Sequence, residues 1–229
     1  MVVGNGMMAE AFSTFRDNNR VVIFASGVSN SLEKDPVAFI REKNLLLRTH
    51  EENAEKLLVY FGTCSINDPD RRDTPYVRHK LEMEELLANS AGSWMVLRLP
   101  LAIGPGHRGA TLAQYLYERI SRGEPFDIWA KTTRYPIDVI DVFSIASRFI
   151  ADRSLWNRRI NVAFRAFPIL DFVRAMEQIV GKSANCTLVQ KGQPYEISCP
   201  EVSTLAGQLD LDFSDQYLHK VLARYFGTR

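Results

Sequence analysis

Little in this sequence could build a covalent or metallic framework. Its three cysteines, Cys64, Cys186 and Cys199, are odd in number and lack a C-x-x-C pair, so a disulfide scaffold and a thiolate metal site are both excluded. The histidines His50, His79, His107 and His219 are scattered along the chain, without the spacing of metal ligands, and no metal is expected. No block of like charge is present, and 28 basic residues against 27 acidic ones leave a formal charge of +1. That balance lacks the footprint of a nucleic-acid or anionic-membrane binder. The doublets Arg71-Arg72 and Arg158-Arg159 read as solvated loop charges. With no long apolar span and no signal-peptide pattern, a reduced cytoplasmic setting is expected.

What the chain does contain is a regular alternation. "VVIFASG" (21–27) is a short β-branched run ending in Ser-Gly, and "KLLVYFGT" (56–63) and "WMVLRLP" (94–100) follow it; each reads as a buried parallel strand. Between them, Asp35-Pro36 and Thr74-Pro75 pair an N-cap with a proline at the first helical position. The first pair opens a charged helix expected to run to about Lys56, and the second a helix with Leu81, Leu86 and Leu87 among glutamates. Parallel strands need long crossovers, so the pattern predicts an α/β fold with a Rossmann-like parallel sheet. Residues 1–123 form the expected sheet domain. From 124 to 229 the elements become shorter and more mixed, which predicts a small substrate-binding lobe with a strand near 158–164 returning to the sheet. That part includes "FDIWA", a helix near 141–151, a helix from Pro168 to Val180 ended by Gly181, "CTLVQ" and a last amphipathic helix ending at Phe226.

At the N-terminus "VVGNGMMA" places Gly4, Gly6 and Ala9 as G-x-G-x-x-A between a strand and a helix. Gly4 permits a tight turn, Gly6 lets the backbone approach a pyrophosphate, and Ala9 lets the helix pack closely on its strand. An acidic residue for the adenosine ribose is expected about 20 residues further on. None is there, because Asp17 falls inside the turn "RDNN" and the next strand ends at Ser26.

Tyr76 and Lys80 lie one helical turn apart on one face. An adjacent ammonium stabilises a phenolate and suits the phenol to proton transfer near neutral pH. Thr63 closes its strand and could bond the same substrate oxygen. With eight tyrosines in the chain, the Y-x-x-x-K spacing is weak by itself. It gains weight from the capped helix, the hydroxyl residue at a strand end and the glycine turn.

Taken in order, "GNGMMA", "VVIFASGVS", "LLVYFGTCSI", "TPYVRHKLEMEELL", "VLRLPLAIGPG" and "RYPIDVIDV" resemble the extended short-chain dehydrogenase/reductase superfamily, in particular its NAD-dependent epimerase/dehydratase group acting on nucleotide sugars. The resemblance implies a nicotinamide cofactor, NAD or NADP. Its contacts would be Gly4, Gly6, Met7, Met8, Ala25, Ser26, Gly27, Tyr76, Lys80 and Pro100. Tyr76 would be the general acid/base, Lys80 would also bind the nicotinamide ribose, and Thr63 would polarise the reacting carbonyl or hydroxyl. Ser65, Leu101 and Arg134 would meet the substrate, Arg134 by holding its diphosphate; its alternative is a surface arginine on a hairpin. Relatives pair through the Tyr/Lys helix and the helix before it, which implies a homodimer through 36–56 and 76–90; the alternative, from the strongly charged face of each, is a solvated surface.

The departures matter as much. "VVIFASG" resembles the family's fourth strand but begins about 14 residues after Gly6, so the second and third strands and their helices are missing, along with the ribose acid. The first strand is then left at an edge, for another subunit or the terminal helix to cover. Cys64-Ser65 stands where dehydratases carry Asp-Glu, which disfavours 4,6-dehydration, and Leu101 stands where many relatives carry a sugar-nucleotide asparagine. The expected function is an epimerase or ketoreductase working by hydride transfer, with Tyr76 exchanging the proton. The alternative is a degenerate, non-catalytic dinucleotide or sugar-nucleotide binding protein, acting as a sensor or assembly partner.

Overall fold

The computed structural model describes residues 1–106, 111–209, 211–212 and 214–227. In chain order the elements are β1 (Val2–Val3), α1 (Met7–Ala11), β2 (Val21–Phe24), α2 (Pro36–Glu51), β3 (Leu57–Thr63), α3 (Pro75–Ala88), β4 (Trp94–Leu99), β5 (Leu101–Ile103), α4 (Leu112–Arg122), β6 (Phe126–Trp129), β7 (Thr133–Arg134), β8 (Pro136–Asp138), α5 (Val139–Ala151), β9 (Arg158–Asn161), β10 (Phe167–Pro168), α6 (Ile169–Val180), β11 (Cys186–Val189), α7 (Pro200–Leu205) and α8 (Tyr217–Phe226). The middle of the glycine-rich loop after β5, residues 107–110 with His107, lies outside the described residues.

Five strands form one parallel sheet in the order β1-β2-β3-β4-β9. Both faces are covered, as continuous apolar strands require. Val21, Ile23, Leu57, Val59, Met95 and Leu97 face a core with Phe12 after α1 and Val142, Ile145 and Phe149 of α5. Alternate residues Val22, Phe24, Leu58, Tyr60 and Val96 face Leu46 of α2 and Met83 and Leu87 of α3. A separate core gathers α4, β6, α6 and α8 through Leu116, Ile128, Phe172 and Leu222.

The two N-caps form as their residue types dictate: Asp35 accepts from Val37 N–H and Thr74 from Val77 N–H. The helix expected to reach Lys56 stops at Glu51. Asn53 takes up the carbonyl of Thr49 at 2.9 Å and receives Lys56 Nζ at 2.8 Å, which turns the chain into β3. The first helix is short, one α turn at Met7–Ala11 followed by a 3-10 turn at Ser13–Phe15.

Among the described residues the strands missing from the sequence pattern are missing from the sheet too, which runs from β1 to β9 without reversing its order. One consequence is topological. From β1 to β2 the chain crosses by α1 on one face, and from β2 to β3 and β3 to β4 by α2 and α3 on the other. Crossovers stepping in one direction over opposite faces have opposite hands, although about 98% of parallel crossovers share the right-handed one. A doubly wound sheet stripped of the two strands beyond its first would leave this pattern, with α1 on its old face and its chain led inward. The terminal helix α8 packs in the separate core against α6, so it is not the cover for the β1 edge.

Candidate functional site

The carboxyl ends of β1, β2 and β3 bring the glycine turn and the Tyr/Lys helix together. Gly4 has φ +125°, and a Cβ there would lie 2.4 Å from the Ala25 carbonyl oxygen at the end of β2, so two independent constraints demand glycine. Gly6 is different. Its φ of −87° suits any residue, and an added Cβ would meet nothing within 4 Å. Neither backbone nor packing asks for glycine at this position, and without a Cβ it leaves the space in front of α1 open. Ala9 is buried against the sheet, and Met7 reaches the loop after β5, its Sδ 2.7 Å from where a Cβ on Gly104 would be.

Beyond β2, Ala25, Ser26 and Gly27 lead to the Tyr/Lys helix. A Cβ on Gly27 would stand 2.7 Å from Lys80 Nζ and 2.8 Å from Glu42 Oε1, so this backbone passes directly over a buried ion pair. Tyr76 packs with Val28 and Val77, and Lys80 Nζ lies 5.9 Å from its ring centroid. Thr63 is buried at the end of β3 and caps the turn Cys64–Asn67, its hydroxyl accepting from Ser65 N–H at 3.1 Å. Accepting that bond leaves its O–H able to donate.

Lys80 is not waiting for a ligand. It is 3% exposed, and its ammonium donates to Glu42 Oε1 at 3.0 Å, Tyr60 Oη at 3.1 Å and the Phe61 carbonyl at 3.4 Å. Three N–H groups meet three acceptors. Glu42, with no exposed surface, also accepts from Tyr60 Oη at 2.5 Å and Val28 N–H at 2.6 Å, and His79 Nε2 lies 3.0 Å from its Oε2. Burial alone would push the Glu42 carboxyl up; the Lys80 ammonium, with hydrogen bonds from His79, Tyr60 and Val28, outweighs it and holds the group down at about 2. The Tyr60 phenol moves up instead, through burial and then the Glu42 charge. Sequence reading missed this carboxylate, treating it as one more charge on a polar helix. The signal was there: Glu42 stands four residues before buried Leu46 and seven before buried Thr49, on the apolar stripe where an acid requires a partner.

The other predicted positions lie further along the chain. Pro100 follows β4, and Leu101 begins β5, where its N–H bonds the Tyr135 carbonyl at 3.0 Å and its side chain packs toward the α4–α6 core. Ser65 sits in the turn after Thr63. Cys64 is buried, donates to the Arg98 carbonyl at 3.1 Å and has its thiol pushed up by burial, so it is a structural link between β3 and β4. Cys64, Cys186 and Cys199 are free thiols.

Arg134 is not on a hairpin: β7 pairs with the distant β10. Its guanidinium donates to Asp68 Oδ2 at 3.0 Å and to the Thr133 carbonyl at 2.9 Å. Asp68 is 1% exposed and also faces Arg71 at 3.9 Å, whose guanidinium is lowered by burial and then by Arg134. Beside this cluster a cavity of about 710 Å³ has Thr133, Tyr135, Phe164, Tyr195 and Glu196 in its wall. Burial pushes the Tyr195 phenol up to about 12. A second cavity of about 610 Å³ lies between α6 and α8. Neither has Thr63, Tyr76 or Lys80 in its wall. Among the described residues no group of acidic, Cys or His side chains is placed to hold a metal ion, and no helix is long and apolar enough to cross a membrane.

Comparison with solved structures places this geometry in context. The UDP-glucose 4-epimerase of Thermus thermophilus, crystallised with NAD, superposes with a TM-score of 0.69 at 17% identity, covering 96% of this chain and 81% of that one. The fold is that of nucleotide-sugar epimerases. UDP-glucuronic acid 4-epimerase from Bacillus cereus, in complex with UDP-glucuronic acid and NAD, gives 0.71 at 18% identity over 95% of this chain and 77% of that one. UDP-N-acetylglucosamine 4-epimerase from Methanobrevibacter ruminantium M1 gives 0.65 at 14% identity over 93% and 77%. No protein-family model matches the sequence, and no curated protein matches it.

Proposed function

We propose that the protein is an NAD(P)-dependent enzyme acting on a nucleotide-activated sugar, by epimerisation through a keto intermediate or by ketoreduction. The reading rests on one observation: an epimerase fold over nearly the whole chain in which the open Gly6 turn follows β1, the Ala25–Gly27 segment follows β2 and passes over Lys80 of α3, and Thr63 ends β3. Gly4, Gly6, Met7, Met8 and the Ala25–Gly27 segment would hold the cofactor, with Pro100 beyond them. When bound, the nicotinamide supplies the redox chemistry. Tyr76 takes the proton of a sugar hydroxyl and returns it in the reverse sense, and Thr63 donates to the same oxygen and orients it. Arg134, with Arg71 beside it, faces the diphosphate, and the cavity walled by Tyr135, Phe164 and Tyr195 is of a size suited to a small ligand. Ser65 and Leu101 border the sugar. In this reading residues 1–123, with the strand returning at 158–161, bind the dinucleotide and 124–229 supply the substrate lobe.

We also propose a homodimer through α2 and α3. Val37 and Ile40 of α2 are 71% and 57% exposed and sit where such a partner would lie; sedimentation of Ile40→Arg against the unaltered protein tests this, a dimer requiring a shift to monomer.

A second reading, a dinucleotide or sugar-nucleotide binding protein without turnover, is favoured by the saturation of Lys80, which has to give up an acceptor before it can meet a ribose. One experiment separates the two. Purified protein is titrated with NAD, NADP and their reduced forms, then assayed with a panel of nucleotide sugars at the reduced-nicotinamide absorbance band and by product chromatography. Binding with turnover upholds the enzyme; dinucleotide binding without turnover across the panel upholds the second reading; no binding of any dinucleotide removes the enzyme, and no binding of any nucleotide sugar besides removes both.

A further inference from the structure

The Y-x-x-x-K pair is not a pair in this molecule. An ammonium within reach of a phenol favours the phenolate because its charge is unopposed. Here it is opposed: Lys80 Nζ, 5.9 Å from the Tyr76 ring centroid, is 3.0 Å from a carboxylate with no exposed surface. We propose that Glu42 is a positioning residue that anchors Lys80, offsets its charge and thereby sets how readily Tyr76 gives up its proton. This rests on Tyr76 being the acid/base group.

The arrangement is built rather than incidental. Both carboxylate oxygens are occupied, Oε1 by Lys80 and Tyr60, Oε2 by Val28 N–H and His79, so Glu42 cannot swing away without abandoning four partners. Tyr60 Oη donates to Glu42 and accepts from Lys80, closing a triangle that fixes the ammonium. Phe39 stacks on the His79 ring at 4.6 Å, holding that imidazole against the carboxylate. The charged and titratable groups facing Glu42 are thus Lys80 and His79 from α3 and Tyr60 from β3, with Val28 N–H from the loop. On α2 itself, Arg41 reaches instead to Ser26 at 3.1 Å. The next buried acid, Glu84 of α3, is held in a two-pronged contact by Arg98. Among the described residues no other acid is placed to replace Glu42 against Lys80.

The test is a tyrosinate absorbance titration of Glu42→Gln, with Tyr76 isolated by subtracting a matched protein that also carries Tyr76→Phe. Removing the opposing charge should move the Tyr76 midpoint down by about one pH unit or more relative to the unaltered protein, the scale of a single neighbouring charge. Lys80→Met, which leaves the carboxylate alone, should move it up. Glu42→Asp keeps the charge but draws it back from Lys80, so it should shift in the same direction as Gln by less; it carries the test if the Gln variant does not fold. The pH dependence of kcat/KM should follow the same order. A midpoint that stays put or rises in both Glu42 variants overturns the proposal. Dinucleotide binding to the unaltered protein is followed separately by reduced-nicotinamide fluorescence. Its absence would remove the enzyme reading, whereas the absorbance titration alone decides whether Glu42 governs the phenol.

Discussion

Two cations that the family resemblance assigns to ligands, Lys80 and Arg134, each meet a buried carboxylate of the chain itself. Around Lys80 there is one ammonium and one carboxylate, and every N–H is taken. Around Arg134 there are two guanidinium groups on one carboxylate, Asp68, so that the three groups together keep a positive charge. The first arrangement is closed and neutral; the second retains the sign that an anion needs. Depth separates them as well, the Lys80 side chain being 3% exposed and those of Arg134 and Arg71 19% and 33%. A buried cation can serve as a fixed part of the machinery, while a half-buried one can still be reached by something arriving from solvent.

The contrast can be broken from several directions. The largest effect is expected from Tyr76→Phe, which should cost roughly a hundredfold to ten-thousandfold in turnover, the range of a lost general acid/base, while dinucleotide affinity measured by fluorescence titration stays within about twofold. Retained turnover would remove Tyr76 from the chemistry. Next comes stability. Lys80→Met strands a buried carboxylate and should destabilise the protein by about 3–5 kcal/mol in urea denaturation. Arg134→Met leaves Asp68 with Arg71 and should cost about 1 kcal/mol or less; equal losses would erase the distinction.

Acid should act on the same ion pair. The folded-state value of Glu42, about 2, lies below its ordinary 4.5, so its contribution to stability is complete above pH 4.5 and is lost as the pH falls toward 2. Acid unfolding followed by circular dichroism should therefore flatten over that window in Glu42→Gln. A smaller effect on function than that of Tyr76→Phe is expected from Arg134→Met on binding. It should raise KM for the nucleotide sugar about tenfold, as loss of one charged contact does, with kcat close to unchanged. A fall in kcat at constant KM would move Arg134 from binding to catalysis.

Much of the fold was legible because its signals are local. Asp35-Pro36 and Thr74-Pro75 start helices wherever they precede an apolar stripe, and Val21–Phe24 and Leu57–Thr63 are strands bounded by polar turns. Even the two missing strands could be read from the short interval between Gly6 and Val21. What stayed hidden was long-range. Glu42 meets Lys80 across 38 residues and Asp68 meets Arg134 across 66, and neither partner announces the other in the chain. The end of α2 was misplaced because the capture of Thr49 by Asn53 uses an ordinary polar residue that a helix also tolerates. Cys64, readable only as a departure from a motif, turns out to tie two strands through the Arg98 carbonyl.

The position of β1 at the edge of the sheet carries a further consequence for selectivity. In a doubly wound sheet it is the next strand outward whose terminal residue tells a free 2′-hydroxyl from a 2′-phosphate; among the described residues no strand lies beyond β1. In the proposed reading a dinucleotide would be held here through its pyrophosphate and nicotinamide, with no strand among the described residues to inspect the adenosine. NAD and NADP should then compete for the protein on nearly equal terms, and nicotinamide mononucleotide should retain much of the affinity of either.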